Sequence, residues 1–178
     1  MIAFIHNVLS RPERAALSFT LVAALALAMA YTAEYVFGLA PCILCLYQRV
    51  PYAVVIGLGI LGALISRRSP YVTGWMMGGI SFSFLINSFI AFYHTGVERH
   101  WWRSLFEGCA VPEMEGSITD VLAKIEAAPV VRCDEIPWAD PILGLSMANY
   151  NVAFCLAASL AAIYSARLIM RRASLQSR

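Results

Sequence analysis

Charge is what this 178-residue chain has least of: 13% of its residues are charged, against 60% hydrophobic. A water-soluble domain usually holds about 25% charged and about 45–50% apolar residues. One soluble core of this length could not hide so much apolar surface, and the same proportions exclude disorder. The net charge of +2 is too small and too scattered for a nucleic-acid groove, so no nucleic-acid partner is expected. Histidine is scarce as well, with three in all. A haem bundle needs histidines on facing helices, and only His94 lies at helix depth. Membrane lipid is the solvent that remains.

A spanning helix needs roughly 20 mostly apolar residues. Charge-free runs occupy 15–33, 50–66, 69–97 and 141–166, and the second extends backwards past Arg49. They predict an all-α, polytopic membrane protein: one membrane domain, 1–178, built as a four-transmembrane-helix bundle. Its helices fall near 15–36, 45–65, 71–93 and 143–166, with an outer loop over 94–142. Small residues four apart (Gly74 and Gly78, Ala53 and Gly57, Gly59 and Ala63) suit close helix packing.

Arginines flank three segments: Arg11 and Arg14, Arg67 and Arg68, then Arg167, Arg171, Arg172 and Arg178. By the positive-inside rule these face the cytoplasm, with both termini. The segment 98–140 carries nine acidic residues against four basic ones and is expected outside, as is the turn over 37–44. Arg11 to Arg14, an apolar stretch and Ala28-Met29-Ala30 imitate a cleaved signal peptide. The apolar run continues past Ala30 with only Glu34 interrupting it, which favours a retained helix.

Cys42, Cys45, Cys109 and Cys133 all fall on the outward side or at its membrane boundary, where an oxidising compartment lets disulfides persist. Cys155 sits inside a helix and reads as a packing residue. Cys42-Ile43-Leu44-Cys45 is a CxxC motif at a helix start, with Pro41 before it. A helix N-terminus and a nearby cation both favour a thiolate. Arg49 follows Cys45 by one helical turn. Such an arginine either snorkels to the headgroups or holds the Cys45 thiolate and polarises an electron acceptor.

Ser117 with Asp120 resembles an acidic capping box. Ile118, Val121, Leu122 and Ile125 share one face of a short amphipathic helix, ended by Pro129 and expected on the membrane surface. It would hold Cys109 and Cys133 near the CxxC pair, whether that second pair is a staple or an exchanger. A Cys₄ zinc site is disfavoured, because the second pair is no CxxC and the first is partly sunk in lipid. No metal is expected.

Pro41-Cys42-Ile43-Leu44-Cys45-Leu46-Tyr47-Gln48-Arg49 resembles the motif of the DsbB family, the disulfide bond formation protein B of bacterial inner membranes. The four spans, the inside termini and the later cysteine pair match that family's layout. Phe92-Tyr93-His94-Thr95 resembles its third-helix end, and Trp138 follows the last loop cysteine as an aromatic does there. Gln48 stands where the family often has glutamate.

The resemblance implies a membrane thiol oxidase that reoxidises a DsbA-like thioredoxin-fold partner in the periplasm. Cys109–Cys133 would be the disulfide that the partner attacks, with Cys109 the site of the mixed disulfide. Cys42–Cys45 would then carry the electrons to a quinone, ubiquinone or menaquinone, with Cys45 facing it and Arg49 and His94 near its carbonyls. The loop pair is expected within reach of a soluble partner. Two other classes compete: a four-span structural protein with stapling disulfides, and a quinone/thiol oxidoreductase like vitamin K epoxide reductase.

Overall fold

The computed structural model describes residues 2–106, 109 and 132–176; the amphipathic helix expected between Ser117 and Pro129 lies outside them. Among the described residues five helices follow one another: α1 (Ile2–Leu9), α2 (Pro12–Tyr35), α3 (Ile43–Ile65), α4 (Pro70–Glu98) and α5 (Met147–Gln176). Among the described residues the rest is turn and loop, with one isolated bridge between Ala139 and Ser146. Helices α2 to α5 are each long and apolar enough to cross a membrane.

The helix ends have local causes. Pro12, at the first helical position, restarts the chain after α1, a short helix that the charge pattern did not indicate. Ser69 accepts the Val72 N–H and Pro70 follows it, so α4 begins with a side-chain cap. That helix runs past Tyr93 to Glu98 and stops where His100 turns left-handed at φ 59°. Helix α5 begins at Met147 rather than near 143. Asp140 accepts the Leu143 N–H, Gly144 is left-handed, and Ser146 and Asn149 cap each other's backbone N–H groups in a capping-box manner. At its other end, Arg167, Arg171 and Arg172 end the apolar run but not the helix.

Packing follows membrane rules: small residues share the interior with a few large ones (Phe84, Met77, Ile80), and many large apolar residues face outward. Ala15, Ala16, Ala23, Ala162 and Ala166 are wholly buried, whereas Leu21, Met29, Leu64, Trp75, Phe82, Phe89 and Leu160 are exposed. Lipid tails are as apolar as leucine, so close backbone approach and interhelical hydrogen bonds drive association. Ser81 and Ser159 exchange bonds between α4 and α5, and Ser88 donates to the Val152 carbonyl. Thr73 donates to the Gly62 carbonyl across the α3–α4 turn. Near the chain ends, Ser165 donates to the Leu9 carbonyl and Arg172 to that of Ser10. Both described ends of the chain therefore meet at one end of the bundle; the starts of α3 and α5 and the end of α4 gather at the other.

The small-residue pairs separate into two groups. A methyl on Gly59 would press on the Thr20 side chain and lie 3.0 Å from the Ala16 carbonyl, and one on Gly74 would meet Met170. Gly57 and Gly78 have nothing within 4 Å of that position. Gly59→Ala is therefore expected to destabilise the bundle by about 1–3 kcal/mol. Gly57→Ala, in open space on the same helix, should stabilise it by about 0.5–1 kcal/mol. Thermal unfolding in detergent measures both, and equal effects would remove Gly59 from the α2–α3 contact.

Candidate functional site

The site starts from the cap of α3. Cys42 has extended backbone angles, φ −73° and ψ 169°, and its sulfur accepts the Cys45 N–H at 3.4 Å. A thiol thus occupies the place usually held by serine or aspartate. The two sulfurs lie 3.1 Å apart as free thiols, Cys42 buried and Cys45 half-buried. The hydrogen bond from the Cys45 thiol, and after it the one from His94, holds the Cys42 thiol well below the usual range against the opposing effect of burial. Sequence pattern had placed the thiolate on Cys45 beside Arg49. The structure favours Cys42 instead, because the Cys45 side chain, His94 and the Cys45 N–H all bond to its sulfur.

His94 comes to the same place from α4. Its Nε2 lies 3.5 Å from the Cys42 sulfur and 3.6 Å from Glu98 Oε1, and its Nδ1 lies 3.0 Å from Gln48 Nε2. Gln48 accepts in turn from Asn151 Nδ2 of α5 at 2.6 Å. Asn151 Oδ1 accepts from the Tyr52 hydroxyl and lies 3.2 Å from the Cys155 sulfur. Ser146 closes the other side by donating to Glu98. Three helices are thereby joined by one polar chain. His94, Gln48, Glu98 and Tyr52 are each less than a tenth exposed.

Cys109 and Cys133 are joined by a disulfide. Both are wholly buried in one cluster with Cys42, Leu44 and Val97, against which Ile43, Cys45 and Tyr93 pack. An aromatic clamp holds the loop there. Phe106 meets Tyr47 at 5.6 Å between centroids and Tyr93 at 6.0 Å, and the Tyr93 hydroxyl accepts the Leu105 N–H. Trp102 stacks on Tyr93 and donates to its carbonyl, over Gly96, which leaves room for the indole. Arg132 grips Asp134 through two bonds of 2.9 and 2.6 Å beside Cys133. The pair expected within reach of a soluble partner is buried against the start of α3.

Arg49 forms an ion pair with Glu34 of α2 at 2.7 Å and lies 4.6 Å over the Tyr31 ring. This partner was not anticipated, although Glu34 is the one charge late in the first apolar run. Glu98 could have been found as the acid one helical turn after His94. Gln48 was marked only as a departure from the family motif, and Tyr52 and Asn151 carried no signal that they would meet it. The donor atoms of Cys42, Cys45 and His94 lie within 4.8 Å of one another, close enough for a soft cation. A Cys₄ set is not formed, since Cys109 and Cys133 are bonded to each other.

The site therefore holds two cysteine pairs in one buried cluster, one oxidised and one reduced, with a histidine on the capping thiol. Residues 12–165 match the family described as "Disulfide bond formation protein DsbB". The chain is also 28% identical over 132 residues, 74% of each chain, to "Uncharacterized protein RP370" of Rickettsia prowazekii (strain Madrid E). No solved structure matches it. With its four apolar helices and its paired cysteines, this chain belongs to the DsbB family, multi-pass membrane oxidoreductases of disulfide-bond formation.

Proposed function

We propose that the protein reoxidises a DsbA-like thioredoxin-fold partner and passes the electrons through its two cysteine pairs to a membrane quinone. The observation that carries this reading is the burial of Cys109–Cys133 in one cluster with Cys42 and Cys45. A disulfide that only stapled the loop would have no need of that neighbour. The first step is attack by a partner thiolate on Cys109, which breaks the Cys109–Cys133 bond and releases Cys133 as thiolate. The partner's second thiolate then attacks its own sulfur in the mixed disulfide, leaving the partner oxidised and Cys109 and Cys133 reduced. A loop thiolate next attacks an oxidised Cys42–Cys45 bond; the loop disulfide re-forms and two thiols remain at the CxxC. The buried disulfide must swing out to meet a partner, so the packed arrangement serves transfer between the pairs.

A DsbA-like partner is a strong oxidant, near about −120 mV, and each 30 mV is about 1.4 kcal/mol for two electrons. An ordinary protein disulfide could hardly reoxidise it. A quinone supplies a two-electron sink of higher potential. The residues present fit one: Cys45 is half-buried beside exposed Leu46 and Tyr47, and Arg49 is mostly buried one turn away. Arginine has five N–H donors, so pairing with Glu34 leaves others for a carbonyl oxygen. His94, whose two nitrogens already face Cys42, Glu98 and Gln48, acts on sulfur in this scheme. The setting proposed is the bacterial inner membrane, with the cysteine end of the bundle periplasmic and both termini cytoplasmic.

Cys133→Ser is expected to accumulate a covalent complex with a reduced partner through Cys109, seen on non-reducing gels. Cys42→Ser should let the loop pair react once and abolish quinone reduction. Full partner-dependent quinone reduction after replacing both Cys109 and Cys133 would leave the loop bond a staple. Arg49→Lys keeps the charge but loses the planar fork, and should raise the apparent quinone KM by roughly tenfold, the scale of one charge-assisted hydrogen bond, with partner affinity little changed. Unchanged quinone kinetics in Arg49→Ala would take Arg49 out of the site. For sidedness, single cysteines at Glu135 and Ser69, in a chain whose own cysteines are serine, should label from outside at 135 only; the reverse pattern inverts the topology.

A further inference from the structure

The polar chain behind His94 has a direction. An amide nitrogen can only donate and an amide oxygen only accept, so the orientation of each carboxamide sets the next one. The Tyr52 hydroxyl donates to Asn151 Oδ1, and the Cys155 thiol lies 3.2 Å from the same oxygen. This turns Asn151 Nδ2 towards Gln48 Oε1, at 2.6 Å. Gln48 must then present its nitrogen to His94 Nδ1, at 3.0 Å. A nitrogen that accepts carries no proton, so the neutral ring holds its proton on Nε2. That atom faces the Cys42 sulfur and Glu98 Oε1, both acceptors. A proton on Nε2 can be given to either of them, so this end of the chain is compatible with the direction set at the other.

We infer that Asn151 is a positioning residue that, through Gln48, fixes His94 as the Nε2–H tautomer, so that an uncharged ring donates to the Cys42 sulfur. Tyr52 sets the far end, and Cys155 helps to hold the Asn151 oxygen. Burial protects the setting: Tyr52, Gln48 and His94 are 7%, 8% and 4% exposed, and Cys155 is wholly buried. A neutral donor also spares the bundle a buried imidazolium, since a charge at such a site is costly. The inference rests on the proposed redox site for its purpose, but not for its test.

The test is nitrogen-15 NMR of the full-length, reduced chain in detergent, labelled in histidine. His6→Gln and His100→Gln, made singly, assign the His94 signals. The wild-type ring is expected to show an unprotonated Nδ1 and a protonated Nε2. Asn151→Leu removes the donor to Gln48, and both signals should move towards each other as the tautomers exchange. Tyr52→Phe should move them in the same direction by less. Gln48→Glu offers Nδ1 an acceptor and should shift that signal to its protonated position, which keeps the test alive if Asn151→Leu does not fold. A protonated Nδ1 in the wild type, or a ring spectrum that ignores Asn151→Leu, overturns the inference. No partner or quinone enters the measurement, so a failed quinone assay leaves it intact, and a failed relay leaves the proposed oxidase intact.

Discussion

The contact between the Cys42 sulfur and the His94 ring joins α3 to α4 at the point where the chemistry lies. Each partner is placed by its own helix. Cys42 caps α3, and its sulfur accepts the N–H of Cys45 from the first turn. His94 sits one turn before the end of α4, where Glu98 shares its face and Ser146 binds Glu98 from the start of α5. Removing the thiol or the ring would leave a buried polar group without its partner, which costs more than the bond contributes when made. The other polar contacts at this end of the bundle form around that pair.

The rest of the bundle makes such a cluster tolerable. Alanines, glycines and serines let α2 to α5 approach closely, and their hydrogen bonds run from helix to helix. Many large apolar side chains point outward, where lipid accepts them, and Phe84, Met77 and Ile80 fill the centre. At the end where α3 begins and α4 stops, ionisable groups are paired: Arg49 with Glu34, and His94 with Glu98 and Cys42. A charge at depth has few ways to be stable in a membrane, and mutual pairing is the one used here.

In the proposed function the loop disulfide answers to two demands that one position cannot meet. Transfer between the cysteine pairs requires contact, and the aromatic clamp of Tyr47, Tyr93, Trp102 and Phe106 provides it. Attack by a separate protein requires access, which burial denies. Aromatic contacts at the rim of the site are individually modest, about 0.5–1.5 kcal/mol beyond their area. A clamp made of a few of them is strong enough to seat the loop and, under that proposal, weak enough to release it to a partner.

Much of this was legible in the sequence because it is local. Charge-free runs revealed the four long helices, and the CxxC followed by Arg49 marked the end of the bundle where redox chemistry belongs. Helix ends were less legible: α4 gains Glu98, and α5 waits for Ser146, through caps and turns that leave hydropathy unchanged. Only the tertiary structure decided which thiol is favoured as thiolate, that Arg49 pairs with Glu34, and that the loop disulfide is buried. It alone put Asn151 against Gln48, 103 residues apart in the chain. Apolar periodicity shows which residues avoid water, and it is silent on which polar groups meet, because those pairings depend on how the helices are set against one another.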